Sequence, residues 1–288
     1  MYYKFYGFTE PPFNLTPNSK FFFSSVKHAE ALSTMIYAIN ERKGFVVITG
    51  DIGSGKTTVC RALINQLDRK THTALITNTH MSGKDLLMTI LEDLEIDYQP
   101  GSKSKLHSQL NAYLIDQLRG HNNVVLIIDE AQNLTPSLLE EVRMLSNLET
   151  ENEKLIQIIF LGQPELKKKL ALSRLEQLRQ RIAVYFQLTP LDKVDAWAYI
   201  LHRLKVAGGG DRQFFTEGAL ERIYAFSNGV PRLINQICDS ALLSGYISEV
   251  KLIDEEMINE AILDSPMTQI GGNAKAIKEE EVRMNHLV

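Results

Sequence analysis

The stretch Gly50-Asp51-Ile52-Gly53-Ser54-Gly55-Lys56-Thr57 constrains this chain more than any other. It follows the apolar run Phe45-Val46-Val47-Ile48-Thr49 and precedes a helical pattern opening at Thr58, so it reads as strand, glycine loop and helix. That order and spacing fit a phosphate-binding loop. Glycines allow positive φ and the close approach of backbone N–H groups, and the new helix directs its positive end at the anion. In such a loop Gly50 to Thr58 hold the phosphates of a nucleotide, Lys56 meets the β and γ phosphates, and the Thr57 hydroxyl holds Mg²⁺. A chance glycine-rich turn would not come bracketed by the strand and helix the motif requires.

A chain of 288 residues, 44% of them hydrophobic, can bury a large core and is expected to divide into two units. The net charge of −4 and a pI near 6.0 give no global reason to expect nucleic acid as a partner, although a local basic face is compatible with them. The two cysteines, Cys60 and Cys238, lie inside apolar helical patterns, which argues against a disulfide framework and for a reducing cytoplasm. No apolar run approaches the ~18 residues that cross a bilayer, and the N-terminus lacks the basic and apolar regions of a signal peptide. A membrane role is therefore expected to act through a partner.

Along the chain, the first 25 residues are rich in aromatics, among them Tyr2, Tyr3, Phe5, Tyr6, Phe8, Phe13, Phe21, Phe22 and Phe23, and are broken by Pro11, Pro12 and Pro17. They read as an irregular arm lying on the core, either over an adenine or simply packed there. Ala31, Leu32, Met35, Ile36 and Ile39 follow a helical period that leads into the first strand. A second strand is expected over Thr73–Thr77. Ser82 with Asp85 forms a capping box, and two helices carrying Leu86 to Leu94 and Leu106 to Leu118 follow. Strand and helix alternate, as in a parallel sheet covered on both faces.

The run Val124-Val125-Leu126-Ile127-Ile128 marks a central, doubly buried strand, and it ends in Asp129-Glu130-Ala131-Gln132. The carboxyl end of such a strand is where a parallel sheet places ligand chemistry. Two acids there suit a phosphate loop, Asp129 orienting Mg²⁺ and Glu130 polarising a water that attacks the γ-phosphate. Thr135-Pro136 opens another helix, and Leu155–Leu161 is a fourth strand ending at Gly162-Gln163. Gln163 is expected beside Glu130, placed to sense the γ-phosphate or position the water. Arg179 and Arg181 precede a fifth strand over Ala183–Leu188. An arginine there can reach a neighbouring subunit's nucleotide, and Arg181 is chosen over Arg179.

After Pro190 the strands stop and four amphipathic helices form a small lid, with Thr216 and Asp254 as caps. Arg232 opens the third of them, following Gly229-Val230-Pro231, where it is poorly placed for the helix dipole but able to extend towards an anion. The division expected is an arm and helix over 1–44 packed on the core, a nucleotide-binding core over 45–190, a lid over 191–264, and a flexible or partner-dependent tail over 265–288.

From about Phe5 to Ile262 these residues resemble the AAA+ ATPases. More narrowly, they resemble the ATPase domain of the general secretion pathway A-type (ExeA-like) proteins and their exopolysaccharide- and exosortase-associated relatives. The likeness rests on Tyr3-Lys4-Phe5-Tyr6-Gly7-Phe8, on Pro12-Phe13-Asn14-Leu15-Thr16-Pro17, on Leu161-Gly162-Gln163-Pro164-Glu165-Leu166, and on Gly229-Val230-Pro231-Arg232-Leu233-Ile234-Asn235. It implies a five-stranded α/β core with a helical lid, and ATP hydrolysis coupled to work in a homo-oligomeric ring or filament. By it, Lys56 and Thr57 belong to Walker A, Asp129 and Glu130 to Walker B, Gln163 is sensor 1, Arg181 the arginine finger, and Arg232 sensor 2. Secretion members of the family continue into a membrane span and a peptidoglycan-binding region. This sequence has neither, so a soluble member or an isolated domain is expected, with a membrane-associated export protein as partner. A DNA-associated transposition regulator is the alternative role, and a non-hydrolysing nucleotide scaffold the third, against which Glu130 stands.

Overall fold

The computed structural model describes residues 2–16, 18–149, 153–265 and 268–269. The chain separates into two compact units. One comprises Val26–Thr189, the other the chain up to Ser25 together with the chain from Pro190 onward. Of the expected tail, residues 266–267 and 270–288 lie outside the described residues. Among the described residues, no helix is long and apolar enough to cross a membrane.

In the α/β unit, five strands form one parallel sheet: β1 (Phe45–Gly50), β2 (Thr71–Ile76), β3 (Asn123–Ile128), β4 (Gln157–Gly162) and β5 (Ile182–Leu188). The order across the sheet is β2-β3-β4-β1-β5. Every residue of β1 and β4 is buried, as is every residue of β3 after Asn123, which explains their unbroken apolar runs. At the edge, β5 alternates half-buried and exposed residues. Ile158, Phe160, Leu126, Ile128, Phe45 and Val47 from the central strands join Leu86, Ile90, Leu110 and Leu139 from covering helices in one apolar cluster.

Local signals set the helix ends. Ser82 and Asp85 exchange both bonds of the capping box, and Thr135 caps a helix with Pro136 in its first turn. Strand limits move where pairing decides them. β2 starts two residues early because Thr71 pairs with Asn123. β4 starts late because the chain before it bridges back, Glu149 against Lys154, with Leu155 N–H donating to the Leu148 carbonyl.

Four helices dominate the other unit: Lys193–Leu204, Glu217–Ser227, Pro231–Ile247 and Glu255–Leu263. Asp192, Thr216 and Asp254 cap the first, second and fourth. The expectation that the aromatic arm lies on the α/β core is corrected here. Tyr6, Phe8, Phe13 and Phe21 are buried in the helical unit's own apolar cluster, with Phe8 4.7 Å from the Phe214 ring. The four helices leave an apolar face, and the arm's rings close it. Arg203 holds the arm there, its Nε donating to the Pro12 carbonyl (2.6 Å), Nη2 to the Asn14 carbonyl (3.1 Å) and Nη1 to the Tyr199 hydroxyl (2.9 Å). The guanidinium also faces the Phe21 ring at 4.9 Å, so a buried cation is surrounded by acceptors and π faces. The remainder of the expected first segment, residues 26–44 with the helix Val26–Asn40, belongs with the α/β unit. Cys60 and Cys238 are buried free thiols in separate units.

Gly229 sits at φ +72°, and a Cβ there would lie 1.8 Å from the Leu191 carbonyl oxygen, whose residue donates its own N–H to the Gly229 carbonyl. Gly229→Ala is therefore expected to destabilise the helical unit by roughly 2–3 kcal/mol. Thermal denaturation followed by circular dichroism checks this, and an unchanged midpoint would contradict it.

Candidate nucleotide site

The loop after β1 turns on glycine. Gly53 and Gly55 have φ of +79° and +100°, and the helix Lys56–Gln66 begins directly after Gly55. Its first-turn N–H groups have no acceptor within the helix and carry the positive end of its dipole. The loop is tightly backed. A Cβ on Gly55 would meet His28 Nε2 at 2.6 Å, and His28 donates to the Ser54 carbonyl at 3.0 Å. Ser54 Oγ is a buried hydroxyl with no hydrogen-bond partner among the described residues, whereas Asp51 and Ile52 are exposed at the loop's tip.

Lys56 is buried, and its ammonium folds onto the loop's own carbonyls, Gly50 O at 2.7 Å and Asp51 O at 2.9 Å. Burial lowers its pKa from the ordinary lysine value, and the carboxylates of Glu130, Asp129 and Asp51 oppose that. A cation partly desolvated and held by neutral acceptors is ready to exchange them for an anion.

From the third strand comes the other half. Thr57 Oγ1 donates to Asp129 Oδ2 at 2.8 Å, and Asp129 Oδ1 accepts the Glu130 N–H at 2.9 Å. One hydroxyl and one carboxylate are the hard oxygen donors that Mg²⁺ takes together with substrate phosphates and water. Among the described residues, no group of three or more His, Cys, Asp or Glu side chains is placed to hold an ion by itself. The glycine cradle, the buried ammonium and this donor pair fit a magnesium nucleotide.

Glu130 has φ +52°, an unusual conformation for a glutamate, and its Oε2 accepts from Gln132 Nε2 at 2.6 Å and Gln163 Nε2 at 3.3 Å. β4 lies between β3 and β1 and pairs Gly162 with Thr49, which delivers Gln163 between the two strand ends. The structure thus brings together Lys56, Thr57, Asp129, Glu130 and Gln163. Thr58 follows on the first helical turn.

Arg181 does not join them within the chain. It precedes β5, whose first residue, Ile182, pairs with Phe45 at the end of β1 remote from Gly50. At ~3.3 Å per residue that is roughly 17 Å away. Its Nη1 donates to Ser146 Oγ at 2.7 Å, while Arg179 is exposed and donates to the Ala171 carbonyl at 3.3 Å. Arg232 is exposed on the first turn of Pro231–Ile247, in the helical unit.

Sequence reasoning gave no role to His28, Gln132 or Lys169, whose ammonium donates to the Gln132 and Leu134 carbonyls. Gln132 carried a signal, standing two residues beyond the acid it touches. His28 carried none, being one of several polar residues on the helix Val26–Asn40.

The fold is that of AAA+ P-loop proteins, a parallel five-stranded sheet flanked by helices with a helical region beyond it. It superposes on Cdc6p from Pyrobaculum aerophilum with a TM-score of 0.65 at 17% identity, over 92% of this chain and 74% of that one. The Walker-type ATPase of Pyrococcus abyssi gives 0.63, also at 17% identity, over 94% and 81%. Residues 39–170 match the AAA domain family. In sequence the chain is similar to general secretion pathway protein A of Aeromonas hydrophila, 42% identical over 247 residues. That match takes in 85% of this chain and spans 45% of the relative.

Because Gly55 has both a positive φ and no room beside His28, Gly55→Ala is expected to weaken binding of a fluorescent ATP analogue by about 100-fold or more, ~2.7 kcal/mol. Fluorescence titration with Mg²⁺ present measures it, and wild-type affinity would refute the loop's assignment.

Proposed function

We propose that this protein hydrolyses ATP with Mg²⁺ and converts turnover into rearrangement of a homo-oligomer and its partner. The observation that carries the reading is the 2.8 Å bond from Thr57 to Asp129, which ties the phosphate loop to the acids ending β3. Bound Mg²⁺ would supply charge neutralisation on the β and γ phosphates, with Thr57 and Asp129 as its protein ligands. Lys56 would leave the loop carbonyls for the β and γ oxygens. Glu130 would accept a proton from the attacking water, and Gln163 would hold that water or the γ-phosphate between them. Gly50 to Thr58 would grip the phosphates through backbone N–H groups.

Arg181, remote from its own loop, would serve the nucleotide of a neighbouring subunit in a ring or filament. Arg232 would act as an anion-sensing cation for the γ-phosphate and lose its hold after hydrolysis. The likeness to general secretion pathway protein A supports a role in secretion, and the proposal extends it to secretion or polysaccharide export at the cytoplasmic side of a membrane, through a membrane-associated partner.

Glu130→Gln is expected to bind ATP within about threefold of wild type and to lose at least ~100-fold in kcat. Coupled-assay rates together with nucleotide titration check it, and undiminished turnover would remove Glu130 from the chemistry.

Arg181→Ala is expected to be inactive alone yet to regain activity when mixed with Glu130→Gln, because the first keeps an intact pocket and the second an intact arginine. Arg179→Ala serves as comparator. Normal hydrolysis by Arg181→Ala across protein concentrations would refute its role, and loss in Arg179→Ala would transfer it. Strong, salt-dependent stimulation of the ATPase by duplex DNA would favour a DNA-associated role over export.

A further inference from the structure

Beside Glu130 lies a side chain that the reaction above does not use. Gln132 stands in the short turn Ala131–Asn133, and the orientation of its amide is set by its neighbour. The Gln163 main-chain N–H can only donate, so the atom facing it at 2.9 Å is Gln132 Oε1. Nε2 must then point the other way, where it meets Glu130 Oε2 at 2.6 Å. One amide therefore joins the carboxylate at the end of β3 to the backbone just past β4.

Three neighbours fit the same arrangement. A Cβ on Gly162 would lie 3.0 Å from Gln132 Oε1 and 2.9 Å from Leu166 Cδ2, so the glycine leaves the amide its space. Lys169 clasps the turn by donating to the carbonyls of Gln132 and Leu134, the latter at 2.7 Å. Glu130 itself adopts φ +52°, a conformation that persists when its surroundings over-determine it.

We propose that Gln132 is a positioning residue, a strut that makes the Glu130 carboxylate and the Gln163 segment move as one body. The proposal rests on the ATPase reading of the same site. The strut occupies Oε2 and leaves Oε1 to receive the proton of the attacking water as the water oxygen bonds to the γ phosphorus and the bond from phosphorus to the β-γ bridging oxygen breaks. The electron pair of that bond leaves with ADP. Displacement of the loop after β4, where the γ-phosphate would be sensed, is transmitted to the acid through the Gln132 amide, beside the longer direct bond from Gln163 Nε2 to Glu130 Oε2 at 3.3 Å. Without the strut Glu130 keeps its chemistry and loses its aim.

The test compares the 288-residue wild type with Gln132→Ala, Gln132→Glu and Glu130→Gln. Gln132→Glu keeps the shape of the side chain but replaces the donor with a second carboxylate. Both Gln132 variants are expected to keep Kd for a fluorescent ATP analogue and KM for ATP within about threefold while kcat falls about 10- to 100-fold. Adding Gln163→Ala to Gln132→Ala is expected to cost less than it does in wild type, because the two residues share one network. A readout independent of turnover is the spectrum of ¹⁵N-glutamine-labelled protein. The Gln132 side-chain amide signals should move in Glu130→Gln, and the Gln163 main-chain signal should move in Gln132→Ala. An unchanged kcat in Gln132→Ala, unmoved glutamine signals, or a loss of affinity as large as the loss in kcat would each overturn the strut. If wild type fails to hydrolyse ATP while the glutamine signals move as stated, the ATPase reading falls and the mechanical link stands.

Discussion

The α/β unit depends on a hydrogen bond between two side chains 72 residues apart, from the Thr57 hydroxyl to the Asp129 carboxylate. β1 and β3 are not neighbours, since β4 runs between them. The loop leaving β1 must cross the end of β4 to reach the acids of β3, and it does so through the first turn of the helix Lys56–Gln66. That crossing places the tip of β4 in the middle of the site. Polar side chains at that tip therefore face both the loop and the acids, which is the topological rule for ligand sites at the carboxyl ends of parallel strands.

Charge in this region is carried by few groups, of which Lys56 and Asp129 are buried and Glu130 is half-buried. Lys56 is held by carbonyls, Asp129 by a hydroxyl and a main-chain N–H, and Glu130 by two amides. Among the described residues, each has neutral dipoles around it in place of a direct ion pair. A site so arranged can take up a highly charged ligand without first breaking a salt bridge, whose rupture would leave a buried charge unpaired. The conformation of Glu130, of a kind that costs about 1–3 kcal/mol, is sustained by the same network.

The helical unit solves a different problem. Four short amphipathic helices do not close a core, and aromatic rings from the chain's beginning complete it, with Arg203 as the fastening. A guanidinium suits this task because its planar fork satisfies three acceptors while its faces lie against rings. The start of the chain is thus structural for the end of it, and the division by units does not follow the order of the sequence.

The sequence by itself determined the alternation of strands and helices, the phosphate loop, the two acids at the end of β3 and the caps at Ser82, Thr135, Thr216 and Asp254. These signals act over a few residues, through glycine conformations, side-chain caps and the period of apolar positions, so they are legible without neighbours. Even there, the ends of β2 and β4 shifted, because a strand ends where its partner's hydrogen bonds end. Tertiary structure alone decided the home of the aromatic arm, the backing of the loop by His28 and the link from Glu130 through Gln132 to Gln163. These contacts join residues 191, 26 and 31 positions apart, as in Arg203 to Pro12, His28 to Ser54 and Gln132 to Gln163. No local pattern records such pairs, because only the packed sheet and helices bring them within hydrogen-bond reach.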